Sequence, residues 1–347
     1  MKDISIEKNI IGENSKPFII AEMSGNHNQS IDRAIAIIDA AANAGASAVK
    51  LQTYTADTIT MKGAYKINDA NSLWNGQELH DLYKEAYTPW EWHEPLFKHA
   101  RSRGLTIFSS PFDETSVDFL ESLGVAAYKI ASFENTHHPL LKKVARTGKP
   151  VIMSTGVSSL ADIDTSVRVL RAEGCQELML LKCTSTYPAT PENTNLRTIP
   201  HMSEMFNCHV GLSDHTMGIG AAVASVALGA RVVEKHFTLR RSDGGVDSAF
   251  SIEPEELKAL VIESERAFLA LGKVKYGVSE VEKKSVQFKR SIYVSEAIKA
   301  GDTFTVENLK VIRPGFGLAP ELYEELLGKK ASKNLEKGSP LTWNDLF

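Results

Sequence analysis

Cysteine is scarce in this sequence. Cys175, Cys183 and Cys208 are the only three among 347 residues, and none forms a CxxC pair. That pattern argues against a disulfide framework or a cysteine-rich zinc site and suits a reducing compartment. No stretch approaches the roughly 18 apolar residues of a membrane span. The N-terminal MKDISIEKNIIGENSK is too mixed in charge for a signal peptide. A cytoplasmic protein without a membrane segment is expected. A basic excess is lacking too, with 39 Lys plus Arg against 43 Asp plus Glu and a formal net charge of −4. General nucleic-acid and polybasic membrane binders are thereby disfavoured. Any anion must be held by a local basic pocket. GxGxxG, Walker A and HExxH motifs are all missing.

What is present is the balance of a globular protein, 43% hydrophobic and 24% charged. At about 150 residues per domain the length predicts about two domains. From residue 17 to about 272, short apolar runs alternate with amphipathic stretches. The runs are Phe18–Ser24, Ala48–Tyr54, Thr106–Phe112, Ala127–Ser132, Pro150–Thr155, Leu178–Ser185, His209–His215 and Val232–Thr238. Between them, IDRAIAIIDAAANAG places Ile31, Ala34, Ile35, Ile38 and Ala42 on one helical face. SVDFLESLG, HPLLKKVARTG, LADIDTSVRVLRAEG and EPEELKALVIESERAFLALG repeat the pattern. Gly45, Gly104, Gly124, Gly148, Gly174 and Gly229 stand just ahead of the next run, as left-handed helix stops. Eight strand–helix units predict an α/β fold, a (β/α)8 TIM barrel. A doubly wound open sheet would usually carry a glycine-rich phosphate loop, which is missing.

Beyond residue 272 the texture changes. The expected division is a barrel domain over 1–272, a charged linker over 273–290 and a small domain over 291–347. Within the last, AIKAGDTFTVENL and NLEKGSPLTWNDL read as two copies of one unit. About 57 residues is near the lower limit for an independent core, so the small domain is expected to pack on something else, its own barrel or a second subunit.

Barrel enzymes build their sites at the C-terminal ends of the strands. Those ends are polar here: Glu22; Lys50 and Gln52; Ser110; Lys129, Ser132 and Glu134; Ser154; Ser185 and Tyr187; Ser213 and His215; and Glu234 and His236. A lysine inside an apolar strand is costly unless it meets an anion. One could be snorkelling, but Lys50 and Lys129 together, ringed by serines, point to an anion pocket. His215 and His236 end adjacent strands and suit a borderline divalent cation such as Mn²⁺ or Zn²⁺, or two hydrogen-bonded histidines in the barrel mouth. Glu22 and Glu134 read either as general bases or as ion-pair partners of the lysines. The other eight histidines read as surface or loop residues. Trp74, Trp90 and Trp92 read as packing a lid or helix, and Trp343 as part of the small core.

The ordered series FIIAEMSGNH, AVKLQTY, FSSPF, AYKIASFE, STG, KCTSTYP, VGLSDHT, GARVVEKHFT and VIRPGFGL resembles the sialic acid synthase family over nearly the whole chain. The resemblance implies a TIM barrel followed by an antifreeze-like (SAF) domain. It also implies condensation of phosphoenolpyruvate with an open-chain amino sugar, giving a nine-carbon 2-keto acid and phosphate. Carried over, it puts Lys50, Ser110, Lys129, Ser132, Ser154, Ser185 and Ser213 around phosphoenolpyruvate. His215 and His236 would hold a divalent metal, usually Mn²⁺, with Mg²⁺ or Co²⁺ as alternatives. Glu22 and Glu134 would be catalytic, with Gln52, Tyr187 and Asp247 on the sugar side. Arg313 would reach the barrel of the other subunit in a domain-swapped homodimer. LQTYTADTITM, the SLW before NGQELHDLYKEAYTPWEWHEPLF, and CTSTYP resemble the pseudaminic-acid-forming branch. Ser185 and Leu51 depart from the asparagine and histidine common in the neuraminate type. The implied sugar is then 2,4-diacetamido-2,4,6-trideoxy-L-altrose. A neuraminate or legionaminate synthase with the same chemistry, or a Schiff-base pyruvate aldolase using a lysine, are the competing readings.

Overall fold

The structure is a computed structural model that describes residues 1–70 and 72–347. The chain divides into two compact units, Met1–Gly272 and Lys273–Phe347. The first opens with a hairpin, β1 (Ile4–Ile6) and β2 (Asn9–Ile11). Eight parallel strands follow and close into a barrel: β3 (Phe18–Glu22), β4 (Ala48–Thr53), β5 (Thr106–Pro111), β6 (Tyr128–Ile130), β7 (Val151–Ser154), β8 (Leu178–Cys183), β9 (His209–Asp214) and β10 (Val232–His236). They pair in chain order, and β10 closes onto β3 with His236 opposite Glu22. The expected (β/α)8 architecture is therefore present.

Every expected run forms a strand, and several end earlier than the apolar run does. Where the ladder stops, the chain turns into the barrel mouth, as in the short 3₁₀ segments Ser24–His27 and Ser132–Glu134. Local chemistry fixes the helix ends. Ser30 accepts from Arg33 N at the start of Ile31–Ala44, and Gly45 ends that helix at φ 85°. That helix buries Ala34, Ile37, Ile38, Ala41 and Ala44, so its inward stripe is turned slightly from the predicted one. Gly104, Gly124, Gly148, Gly174 and Gly229 also adopt positive φ.

The N-terminal hairpin is a feature that periodicity did not expose. Ile4, Ile6 and Ile11 are buried in the barrel core. Asn9 Nδ2 donates to Thr106 Oγ1 at 3.0 Å, and Thr106 Oγ1 donates to Glu7 at 2.8 Å. Thr106 begins β5, so the hairpin covers the N-terminal end of the barrel. No helix among the described residues is long and apolar enough to cross a membrane.

The second unit has its own core of Ile292, Val294, Ile298, Phe304, Leu309, Leu326, Ala331, Leu335 and Leu341. Its strands β11 (Ser291–Val294) and β12 (Leu309–Ile312) are antiparallel. The two similar segments are related internally. Ile298 N donates to Leu335 O at 2.9 Å and Leu335 N to Ile298 O at 2.8 Å. Gly301 and Gly338 turn at φ 89° and 88°. Asn308 and Asp345 cap Thr305 N and Thr342 N at 2.8 and 2.6 Å. The same correspondence corrects the expectation for Trp343. It is 59% exposed, as is its counterpart Val306 at 62%, because that position of the unit faces outward. The charged stretch after residue 272 contains an exposed 3₁₀ segment, Glu280–Phe288.

Candidate active site at the barrel mouth

Strand alternation sends Lys50, Ser110, Ser213 and Glu234 toward a common interior, where their charges meet. Lys50 Nζ lies 3.0 Å from Glu22 Oε2 and 3.1 Å from Glu234 Oε1, and donates to Ser110 Oγ at 3.4 Å. Lys129 Nζ lies 3.6 Å from the same Glu234 oxygen, to which Ser213 Oγ also donates at 3.2 Å. All four charged side chains are at most 5% exposed. Burial tends to raise the Glu234 carboxyl, but Lys129 and Lys50 outweigh it and hold it below the usual range. Burial likewise lowers Lys50, but Glu22 and Glu234 overcome it and raise it. For Lys129 burial prevails and its ammonium is lowered. Glu22 is raised to about 7 by burial, against the pull of Lys50.

A second group adjoins this network. Gly156 N donates to Ser132 Oγ at 3.1 Å. A methyl group on Gly156 would overlap both Ser132 Oγ and Ser185 Oγ, so backbone and two serines converge there. Ser185 Oγ is 3.6 Å from Cys183 Sγ, which is 3.9 Å from His215 Nδ1. Burial would raise the Cys183 thiol, but its His215 contact outweighs that and brings it to about 6. Ser154 Oγ and Glu134 Oε2 are buried without a hydrogen-bond partner. Burial lifts the Glu134 carboxyl to about 7, only partly offset by Lys129.

The two histidines stand side by side, ring centroids 5.3 Å apart. His215 Nδ1 lies 2.9 Å from the Thr184 carbonyl; as the donor there it leaves Nε2 with a free lone pair. His236 is buried and its Nδ1 has no hydrogen-bond partner. Burial holds it well below the ordinary imidazole range, hence neutral. Asp247 Oδ2 is 3.7 Å from that nitrogen and accepts from Ser24 Oγ. Gln52 Nε2 donates to Glu22 Oε1 at 3.0 Å and to Ser24 Oγ at 3.1 Å, tying Ser24 and Asp247 to the lysine network. Burial would lower His215 as well, but Cys183 and the Thr184 carbonyl outweigh it and raise that imidazole. The adjacent pair, His236 neutral with an orphaned nitrogen and His215 held through Nδ1, fits a borderline divalent cation. Among the described residues no group of three or more His, Cys, Asp or Glu forms a ready cage, so remaining positions would fall to water or substrate. Tyr187 packs on His215 at 4.5 Å, with Phe250 at 5.3 Å and Trp74 at 5.9 Å, an aromatic wall beside the histidines.

Thus all the barrel residues singled out in the sequence come to one mouth. Arg313 lies in the second unit, exposed, just beyond β12. Three further participants had no assigned role. Glu234 carried the same signal as the lysines, a charge inside an apolar strand. Gly156 and Cys183 carried none that spacing could reveal. Trp74, expected to pack a lid or helix, donates its indole N–H to Val246 O at 3.1 Å, bringing its loop beside Asp247. The expectation that the remaining histidines are surface or loop residues fails for His93, in the helix Trp90–Ser102, and His209, in β9, both buried; His27 lies in the turn after β3 but is buried too. His93 bonds Thr53 Oγ1 at 2.8 Å, and His209 Nε2 meets Lys2 O at 3.0 Å. Hydrogen-bonded imidazoles fill these positions, and burial holds His27 and His93 near 4.

Comparison with known proteins gives this arrangement a lineage. A pseudaminic acid synthase of Campylobacter jejuni is 45% identical over 333 residues, covering 95% of this chain and 96% of that protein. An N,N'-diacetyllegionaminic acid synthase of the same species is 38% identical, covering 93% and 98%. The crystal structure of an N-acetylneuraminic acid synthetase from Leptospira borgpetersenii, in complex with citrate, is 31% identical with a TM-score of 0.75, covering 83% of this chain and 96% of that one. Residues 289–346 match the SAF domain. With residues 37–276 matching the NeuB family, more than half of its length, the chain belongs to the NeuB family.

Proposed function

We propose that the chain is a pseudaminic acid synthase, a transferase that joins phosphoenolpyruvate to 2,4-diacetamido-2,4,6-trideoxy-L-altrose and releases phosphate. The observation that carries this reading is the pairing of two buried lysines with two adjacent histidines in one barrel mouth. The first group suits a small polyanion and the second a cation that activates a carbonyl. The 45% identity to a pseudaminic acid synthase, against 38% to a legionaminic acid synthase of the same species, favours this sugar. So does the Tyr187–Trp74–Phe250 wall, which suits a deoxy sugar bearing a methyl group.

The chemistry forms a bond between C3 of phosphoenolpyruvate and the sugar aldehyde carbon. Water adds at C2, and carbon–oxygen cleavage releases phosphate and leaves the 2-keto acid. Lys50 and Lys129 hold the phosphate and carboxylate charges, with Glu22 and Glu234 keeping the two ammonium groups in place. Ser110, Ser132, Ser154, Ser185 and Ser213 supply hydroxyl donors in a site where fixed dipoles act strongly. Glu134, poised near neutrality, takes the proton of the attacking water, while Glu22 positions Lys50 and Gln52. Gln52, Asp247 and Tyr187 face the sugar. His215 and His236 would hold the divalent cation, Mn²⁺ by preference, which when bound supplies Lewis acidity at the aldehyde oxygen.

A second copy completes the site in this reading. Phe133, Val157, Leu160 and Met217 leave an apolar rim on the barrel's C-terminal face. Such a rim supports cover by another subunit, with Arg313 entering from the partner in a domain-swapped homodimer. The free, buried cysteines support a cytoplasmic location.

The test is phosphate release from phosphoenolpyruvate with the trideoxy altrose, its legionaminate-type isomer and N-acetylmannosamine, each with EDTA or Mn²⁺. Release should be fastest with the altrose sugar and lost in EDTA. Preference for another sugar would overturn the substrate assignment. Borohydride trapping of a pyruvate adduct on Lys129 would overturn the reaction class.

A further inference from the structure

Two buried charges beside the histidines take no part in the chemistry above. Asp214 and Lys235 lie opposite each other in the β9–β10 register. Each stands immediately before a histidine, His215 or His236. Alternation aims the histidines into the mouth and therefore sends Asp214 and Lys235 to the outer side of the sheet. Their side chains are 0% and 1% exposed. Lys235 Nζ donates to Asp214 Oδ2 at 2.8 Å and to the Thr216 carbonyl at 2.7 Å. Asp214 Oδ1 accepts from Thr216 N at 2.9 Å. The residues on either side of His215 are thus closed into a ring anchored on β10.

Stability does not account for this pair. Withdrawing two charges from water costs several kcal/mol per ion, and apolar replacements are often as stable. What the ion pair supplies, and an apolar contact would not, is a fixed distance and orientation between two strand ends. The adjoining backbone is fixed as well: Ala189 N donates to His215 O at 3.0 Å, and Ile252 N to His236 O at 2.8 Å. Metal ligands must be held within fractions of an ångström for tight binding.

We infer that the Asp214–Lys235–Thr216 ring is a positioning clamp that sets the separation of His215 and His236 and so tunes divalent-cation affinity from outside the site. The inference rests on the reading of the histidines as metal ligands. The clamp predicts a selective defect, because Lys50 and Lys129, which hold the anion, stand on β4 and β6, and only Ser213 and Glu234 of that pocket share β9 and β10 with the clamp.

Mn²⁺ binding is measured by electron paramagnetic resonance of the free ion, without substrates, on the full-length protein. Phosphoenolpyruvate affinity is measured by calorimetry in EDTA. Lys235→Met and Asp214→Asn should each weaken Mn²⁺ binding about 10- to 100-fold, with anion affinity changed less than about two-fold. The double variant should be little worse than either single one, since both break one ring. Unchanged Mn²⁺ affinity in folded Lys235→Met, alongside its loss in His215→Ala, overturns the clamp. If Lys235→Met does not fold, isosteric Asp214→Asn decides by the same criterion. Mn²⁺ bound equally well by His215→Ala and His236→Ala would overturn the ligand reading instead.

Discussion

Glu22 and Glu134 are both lifted to about 7 by burial, yet their neighbours differ. Glu22 spends its charge on Lys50 at 3.0 Å, whereas Glu134 Oε2 is buried without a partner. An unengaged carboxylate is the better proton acceptor, so kcat/KM should rise with pH through about 7. Glu134→Gln should lose that ascending limb and lower kcat by about 10²- to 10⁴-fold. Glu22→Gln should leave the limb in place. Stability provides an independent readout. The folded Glu134 carboxyl lies above its unfolded value of 4.5, so the fold favours its neutral form. That contribution is present below pH 4.5 and lost progressively as pH rises to about 7. Glutamine cannot ionise, so the variant should melt like wild type at pH 4 and gain up to about 3 kcal/mol at pH 8.

At the scale of elements, the proposed anion pocket depends on the turns that follow β6, β7 and β8. The turn after β7 leaves no room for a side chain at its glycine. Gly156 lies against Ser132 and Ser185, and the next residue, β-branched Val157, is held at φ 50°. A left-handed conformation at such a residue costs about 1–3 kcal/mol and persists where the surroundings impose it. Gly156→Ala should therefore force the two serines apart. The expected result is an apparent KM for phosphoenolpyruvate raised about ten-fold or more, with a much smaller change for the sugar. Steady-state kinetics with each substrate varied separately would show the split. Equal effects on both would mean the turn serves the barrel mouth as a whole.

For the whole molecule, the question is why a unit of modest size follows a complete barrel. Its own core is closed around Phe304 and Leu341, while Val306, Phe316 and Trp343 stay exposed. Arg313 is exposed too, and nothing among the described residues pairs with it. In a swapped dimer each site takes its barrel from one chain and its arginine from the other. Arg313→Ala and Lys129→Ala should each be nearly inactive alone. Co-refolded in equal amounts, they should recover about a quarter of wild-type phosphate release, because half the dimers would hold one intact site. No recovery, with mixed dimers demonstrated by tagging each variant, would mean the arginine serves its own chain or none.

The sequence by itself determined the barrel and the composition of its mouth. Eight apolar runs separated by amphipathic stretches admit few topologies, and strand alternation assigns Lys50, Lys129, His215 and His236 to the interior wherever the strands close. Motif order carried the family as well. What pattern did not reveal was anything fixed by contact between distant segments. Ile4 and Ile6 sit in a short, charge-flanked stretch whose value appears only once a barrel end lies beneath it. His27 and His93 resemble loop histidines until tertiary packing buries them. Glu234 became the hub of the lysine network, and Asp214 met Lys235, only when β9 and β10 were set in register. Local periodicity fixes which side of an element a residue faces. Closure of the barrel decides what it meets there, because those partners lie 21 to 184 residues away along the chain.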